Sequence, residues 1–192
     1  MFHFLKTKKA NLLYLLFCTT FFFACAKDTT KITRDNLYLQ SPTPDDCSIN
    51  SDINWTTLAD TLDTNAHFDS FKEVAAYICK AGHLPHNYVK KDSSRKLCEE
   101  KRGSKCPKFN YNPEEFLGIM VGGDTFYNRD AALPVLPADQ HYTESDVDYP
   151  DEKNRGPNRL IFRITPETCF VYYTQDHYKP GSFCRLNPTK MY

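Results

Sequence analysis

The chain has 192 residues, with 24 Lys and Arg balanced by 24 Asp and Glu, and 41% of it is hydrophobic. That length suits one domain with an adequate core, and a formal charge of zero excludes polyanion binding through a generally basic surface. No internal repeat is visible, so repeat architectures are excluded as well.

At the N-terminus, Lys6, Lys8 and Lys9 precede an apolar run from Leu12 to Phe23 broken only by Cys18, Thr19 and Thr20. This is the charge-then-hydrophobe layout of a secretory signal, and it is too short for a stable membrane span. Ala24-Cys25-Ala26 offers a small-residue cleavage site after Ala26, giving a signal peptide over 1–26; the alternative is a lipid anchor through Cys25. Removing 1–26 takes away three lysines and no acid, which leaves 166 residues with 21 basic and 24 acidic side chains. Positive charge for any anionic substrate must then be gathered locally.

Residues 27–66 are polar and rich in Asp and Thr, with Ser41-Pro42-Thr43-Pro44 inside them, and read as an N-terminal extension to a domain over 67–192. From Phe68 the apolar positions Phe68, Phe71, Val74 or Ala75, and Ile78 recur at helical spacing. Ser70 and Glu73 can form a capping box, and Gly82 with Pro85 closes the helix. A second short helix is expected from Asp92 or Ser93. After Phe116 the period shifts towards two, predicting strands near 119–126, 142–149, 160–164, 169–174 and 182–186. Helices first and strands later imply an α+β fold, with N-terminal helices packed on a C-terminal antiparallel sheet. Alternation places Tyr142, Glu144, Asp146 and Asp148 on one side of their strand.

Six cysteines follow the signal: Cys47, Cys79, Cys98, Cys106, Cys169 and Cys184. They lack the C-x-x-C spacing of zinc or redox motifs, and an even set in an exported chain predicts disulfides. Cys98 and Cys106 bracket a short loop, Cys169 and Cys184 flank an expected hairpin, and Cys47 is then left for Cys79.

The C-terminal half carries an ordered set of chemical groups. Glu144 comes first, then Arg155 and Arg159, and then Asp176-His177-Tyr178; Lys90-Lys91 and Gly122-Gly123-Asp124-Thr125-Phe126-Tyr127-Asn128-Arg129-Asp130 stand upstream. Taken singly, a strand carboxylate or an Arg-x-x-x-Arg is ordinary surface. Together, from Phe68 to Arg185, they resemble the barnase-like microbial guanyl-preferring ribonucleases. That resemblance implies a metal-independent endoribonuclease that needs no cofactor, acting on single-stranded RNA through a 2′,3′-cyclic phosphate. It implies Glu144 as general base, His177 as general acid, and Lys91, Arg155 and Arg159 as stabilisers of phosphoryl charge.

By the same resemblance, Phe126, Tyr127, Asn128, Arg129 and Asp130 form the guanine-binding loop, with Tyr178 covering the base from the other side. The family more often carries glutamate where Asp130 stands, and one methylene less predicts weaker guanine preference. A barstar-like protein inhibitor is a further implied partner, and the monomer the expected state. His83 and His86 flank a Leu-Pro turn that points to a structural role rather than a metal pair. Two other functions remain open: an exported, disulfide-stapled binding protein on the same scaffold without activity, and a ribonuclease toxin delivered to competitor cells.

Overall fold

The computed structural model describes residues 43–107, 111–150 and 153–188. The expected signal segment, with its Cys25 alternative, lies outside the described residues. Among those that are described, no helix is long and apolar enough to cross a membrane.

Helix α1 (Trp55–Thr61) begins where the Asn54 side chain accepts a hydrogen bond from the Thr57 N–H at 3.0 Å, the usual capping use of asparagine. Helix α2 (Phe71–Ala81) starts with the Ser70/Glu73 capping box and stops at Gly82, whose φ of 78° ends the helix in the left-handed conformation. The buried face of α2 is Val74, Ala75, Ala76, Tyr77, Ile78 and Cys79. Lys80 reaches back from α2 to donate to the terminal carbonyls Ala59 O and Leu62 O at 2.8 and 3.1 Å, closing α1. Helix α3 (Lys91–Arg102) and the one-turn α4 (Pro113–Leu117) complete the helical part.

The sheet has six strands in sequence order: β1 (Tyr88–Val89), β2 (Met120–Phe126), β3 (Tyr142–Asp146), β4 (Arg159–Ile164), β5 (Cys169–Thr174) and β6 (Cys184–Leu186). The pair β1/β2 is parallel and every later pair antiparallel. Strand alternation divides β4: Leu160 and Phe162 enter the main core with α1 and α2, while Ile161 between them joins Leu133, Tyr142, Tyr172 and Phe183 in a smaller core on the opposite face. The fold is therefore α+β, with helices on one face of the sheet. Part of the N-terminal extension lies along its edge: Cys47 N–H donates to Arg185 O and Arg185 N–H to Asp45 O, both at 2.8 Å, and Trp55, Ala59 and Leu62 sit in the main core.

Two expectations are corrected. The strand expected over 142–149 ends at Asp146, and Asp148 turns away with φ of 49°. Its carboxylate instead accepts from the Phe71 N–H at 3.0 Å and the Tyr173 hydroxyl at 3.3 Å, tying the sheet to the start of α2.

The disulfides are Cys47–Cys184, Cys79–Cys169 and Cys98–Cys106. Only Cys98–Cys106 matches the expected set; Cys169–Cys184 and Cys47–Cys79 are overturned. The register pairs Tyr173, not Cys169, with Cys184. A four-residue offset is about 13 Å at strand rise, beyond the roughly 7 Å that two cysteine Cα atoms can bridge. Cys79, fully buried on α2, meets the start of β5 at a Cα separation of 5.6 Å, and Cys47, beside β6, meets Cys184 at 4.8 Å.

Candidate active site

A bulge in β2 shapes one wall of the site. Gly122 pairs with Ser145 and Asp124 with Glu144, so Gly123 is left over, at φ 96°. A Cβ on Gly122 would lie 2.7 Å from Ser145 Cβ and 2.8 Å from the Tyr88 ring, so glycine is required there by close approach. The bulge turns Asp124 towards the first turn of α3, where its Oδ2 accepts the Lys91 N–H at 2.9 Å.

Lys91, Glu144, Arg155, Arg159, His177 and Tyr178, which the sequence placed far apart, line one cavity of about 120 Å³ together with Asp124 and Asp146. Of the adjacent lysines, Lys91 faces this cavity, while the Lys90 stem lies over Gly123. Glu144 projects from the middle of β3 and is hydrogen-bonded by the Tyr178 hydroxyl. Burial raises its pKa, and the neighbouring carboxylates of Asp124 and Asp146 push the same way.

His177 and Tyr178 follow β5 with consecutive positive φ angles of 43° and 69°. Two non-glycine residues in that region are held only because the turn is over-determined. Asp176 N–H donates to Thr174 Oγ1 at 3.1 Å, His177 N–H to Pro157 O at 3.2 Å, and the Thr174 and Ser182 hydroxyls bond at 2.6 Å. His177 is shifted to lower pKa by burial and then by the positive charge of Arg159.

Asp146 is the residue that organises the cations, and nothing in the sequence singled it out beyond its sharing a strand face with Glu144. It is 3% exposed. Its Oδ2 takes Arg155 Nε at 2.5 Å and the Tyr149 hydroxyl at 2.8 Å, and its Oδ1 takes Arg155 Nη2 at 3.0 Å and lies 2.9 Å from Arg159 Nε. Arg159 Nη1 also donates to Gly156 O and Asn158 O at 2.9 and 2.7 Å, so the guanidinium is fixed from both sides. One buried carboxylate is shared by two arginines, so this group of three carries a net positive charge at the floor of the cavity, beside the Glu144 carboxylate. Removing it should cost more than activity. Asp146→Asn is expected to lower unfolding stability by about 3 kcal/mol, because it strands two largely buried guanidiniums; a denaturation midpoint unchanged from wild type would contradict this account.

The loop after β2 lines a separate cavity of about 490 Å³ that includes Phe126, Tyr127, Asn128 and Arg129. Phe126 links the two cavities, because its ring centroid is 5.3 Å from that of Tyr178. The Asn128 amide is occupied inside the loop, donating to Leu133 O at 2.8 Å and accepting from Leu133 N–H at 3.0 Å. Tyr127 is 72% exposed, with the Arg129 guanidinium 5.4 Å from its ring centroid. Asp130 is exposed and is not among the residues lining either cavity.

A carboxylate with raised pKa and an imidazole with lowered pKa, facing one small cavity lined by three cations of which Arg155 and Arg159 are fixed, are the parts of an acid–base site suited to a phosphoryl group. Comparison with known proteins gives the family. The family model for ribonuclease matches residues 71–187. The chain is 31% identical over 129 residues to the ribonuclease of Bacillus intermedius, an alignment covering 67% of this chain and 72% of that protein. The ribonuclease of Bacillus pumilus is 30% identical over the same length, and that of Heyndrickxia coagulans is 31% identical over 121 residues, 63% of this chain and 99% of that protein. The matched span runs from the first residue of α2 to just past β6 and takes in every residue lining the small cavity, so the chain belongs to the ribonuclease family.

Proposed function

We propose that the chain is a secreted, metal-independent endoribonuclease that cleaves single-stranded RNA after guanosine. The observation that carries this reading is the convergence of Glu144 and His177 on one cavity with Lys91, Arg155 and Arg159. The Glu144 carboxylate takes the ribose 2′ proton, the 2′ oxygen bonds to phosphorus, and the bond from phosphorus to the leaving 5′ oxygen breaks as His177 protonates that oxygen. Water then opens the 2′,3′-cyclic phosphate to a 3′-phosphate with the two roles exchanged. The arginine forks and Lys91 hold the charge that gathers on the phosphoryl oxygens.

Phe126 and Tyr178 offer aromatic faces to the base, and Tyr127, Asn128, Arg129 and Asp130 supply the loop that reads its edge. Because Asp130 is short and exposed, guanine preference is expected to be weaker than a glutamate would give. The 1–26 segment directs export, and three disulfides suit an oxidising destination. A monomer checked in the producing cell by a barstar-like inhibitor completes the reading.

Defined RNA incubated with the oxidised protein in EDTA, with new 3′ ends mapped, tests it. Cyclic phosphate after G supports the whole reading; cyclic phosphate after every base supports the mechanism and removes the specificity; intact RNA with folded protein removes the activity.

The active form needs Glu144 ionised and His177 protonated. Burial raises the first and lowers the second, so both limbs of the kcat/KM profile move inwards, inside the interval set by the ordinary values of 4.5 and 6.5. A bell narrower than that interval is the expected result, and a broad plateau from pH 4 to 8 would contradict it.

A further inference from the structure

The N-terminal extension lies outside the 71–187 span matched by the ribonuclease family, yet it is bonded to the strand that follows the catalytic turn: Cys47 pairs with Cys184, the first residue of β6. We propose that Cys47–Cys184 is a redox latch. Intact, it holds the turn carrying His177 in its catalytic shape; opened by a small dithiol, it leaves a folded but weakly active chain. This rests on the ribonuclease reading above.

Three observations support it. The first is placement. The His177 turn leaves β5 at Thr174 and re-enters the sheet at Cys184, so the bridge grips the residue at which the turn ends. On the other side of the bridge, Cys47 leads through the turn Ser48–Asp52 into α1, whose Trp55 and Ala59 lie in the main core. The catalytic turn is thereby tied covalently to the helical layer.

The second is how little else holds that end. β6 is a three-residue strand, paired with β5 only from Cys184 to Leu186. On its outer side the partner is the extension itself: Asn50 Nδ2 donates to Arg185 O at 2.8 Å, and Asp46 accepts from Arg185 Nε at 2.9 Å and from Asn187 Nδ2 at 2.8 Å. The two bonds to Asp46 are exposed, so water competes for them once the covalent link is gone. His177 and Tyr178, at φ 43° and 69°, hold strain that persists only under constraint. With the constraint removed the turn relaxes locally, while Phe183 and Leu186, buried in the two cores, and Cys79–Cys169 keep the chain folded.

The third is access. The bridge borders a groove of about 580 Å³ between the extension and the His177 turn, and Cys184 is partly exposed. In the other long-range bridge, Cys79 is fully buried on α2. A thiolate of the dithiol reaches Cys184 Sγ from the groove. A mixed disulfide forms as the bond to Cys47 Sγ breaks, and Cys47 leaves as a thiolate that takes a proton. The second thiol then closes the reagent's own disulfide and releases Cys184, so two electrons and two protons pass to the protein. Such an enzyme is slack in a thiol-rich cytoplasm and tightens in an oxidising space outside it.

The test titrates the full oxidised protein with dithiothreitol, maps the freed cysteines by alkylation, and follows RNA cleavage, amide hydrogen exchange and the thermal melt at each step. Cys47 and Cys184 should be freed before Cys79 and Cys169. With their release kcat/KM should fall by about tenfold or more, and it should return on reoxidation. The Asp176 and Ser182 amides should exchange faster while those of α2 are unchanged. The Cys98→Ala/Cys106→Ala variant should respond to the thiol in the same way.

Activity or turn amides that are unchanged with Cys47–Cys184 open overturn the proposal. So do simultaneous opening of both long-range bridges, a loss that reoxidation does not restore, and a Cys98→Ala/Cys106→Ala variant blind to the thiol. If the oxidised protein cleaves no RNA, the nuclease reading fails by itself. The latch then stands if the Asp176 and Ser182 amides quicken ahead of those of α2, and falls if they do not.

Discussion

His177→Ala is expected to lower kcat by about 10²–10⁴-fold, and Glu144→Ala by a similar factor, because each removes one of the two proton transfers that avoid a high-energy alkoxide or leaving group. The two losses should not add. With either partner gone the remaining one has no concerted role, so the double variant should be little worse than the slower single one. The same variants should bind a 2′-deoxy oligonucleotide nearly as tightly as wild type, since Arg155 and Arg159 are held by Asp146 and by backbone carbonyls rather than by Glu144 or His177. Neither substitution should unfold the protein. Glu144 is only partly buried, with Tyr178 as its hydrogen-bond partner, and His177 stands on a surface turn, its ring shielded on the cavity side but not enclosed by the core. Near-wild-type turnover by either variant, with the oxidised fold verified, would remove that residue from the mechanism.

The second large effect is on folding. Cys47–Cys184 closes 137 residues, nearly the whole described chain, and Cys79–Cys169 closes 90. On the loop-entropy relation each stabilises by about 5 kcal/mol, against about 2.5 kcal/mol for the eight-residue Cys98–Cys106 loop. Replacing Cys47 and Cys184 together by alanine should therefore lower stability by up to about 5 kcal/mol, with the Cys98/Cys106 pair costing roughly half as much.

The first bridge also bears on catalysis. Cys184 is the first residue of β6, immediately after the segment that carries His177, and the opposite end of that segment is tied by the Thr174 and Ser182 hydroxyls. Opening the bridge frees one side of a turn whose two positive φ angles are tolerated only under constraint. Activity of the Cys47/Cys184 variant should fall further than its folded fraction at 25 °C. Equal falls in the two quantities would show that the bridge supports the fold alone.

Much of this protein was legible in the chain. The Ser70 and Glu73 start and the Gly82 stop of α2, and the strands near 160–164 and 169–174, are local patterns, and the structure reproduces them within a few residues. Glu144 was legible only in company. Strand periodicity alone makes it a surface carboxylate, and its place among Lys91, Arg159 and His177 followed from resemblance across four separated segments.

Asp146 was not legible, because its importance lies in two guanidiniums nine and thirteen residues on that fold back over it. Asp148 was misread for a related reason: alternation says which face a strand residue takes, but not where a long-range hydrogen bond to Phe71 N–H ends the strand.

By itself, then, the sequence determined the class of fold and the approximate place of five of the six strands, β1 (Tyr88–Val89) being too short to show a pattern. These depend on spacing along a few neighbouring residues, whereas the candidate acid, base and cations came from the family resemblance. Only the tertiary structure decided how Cys47, Cys79, Cys169 and Cys184 pair and which carboxylate holds the arginines. Both depend on the register of strands and on how α2 lies across the sheet, and a one-residue change in pairing turns a side chain to the other face.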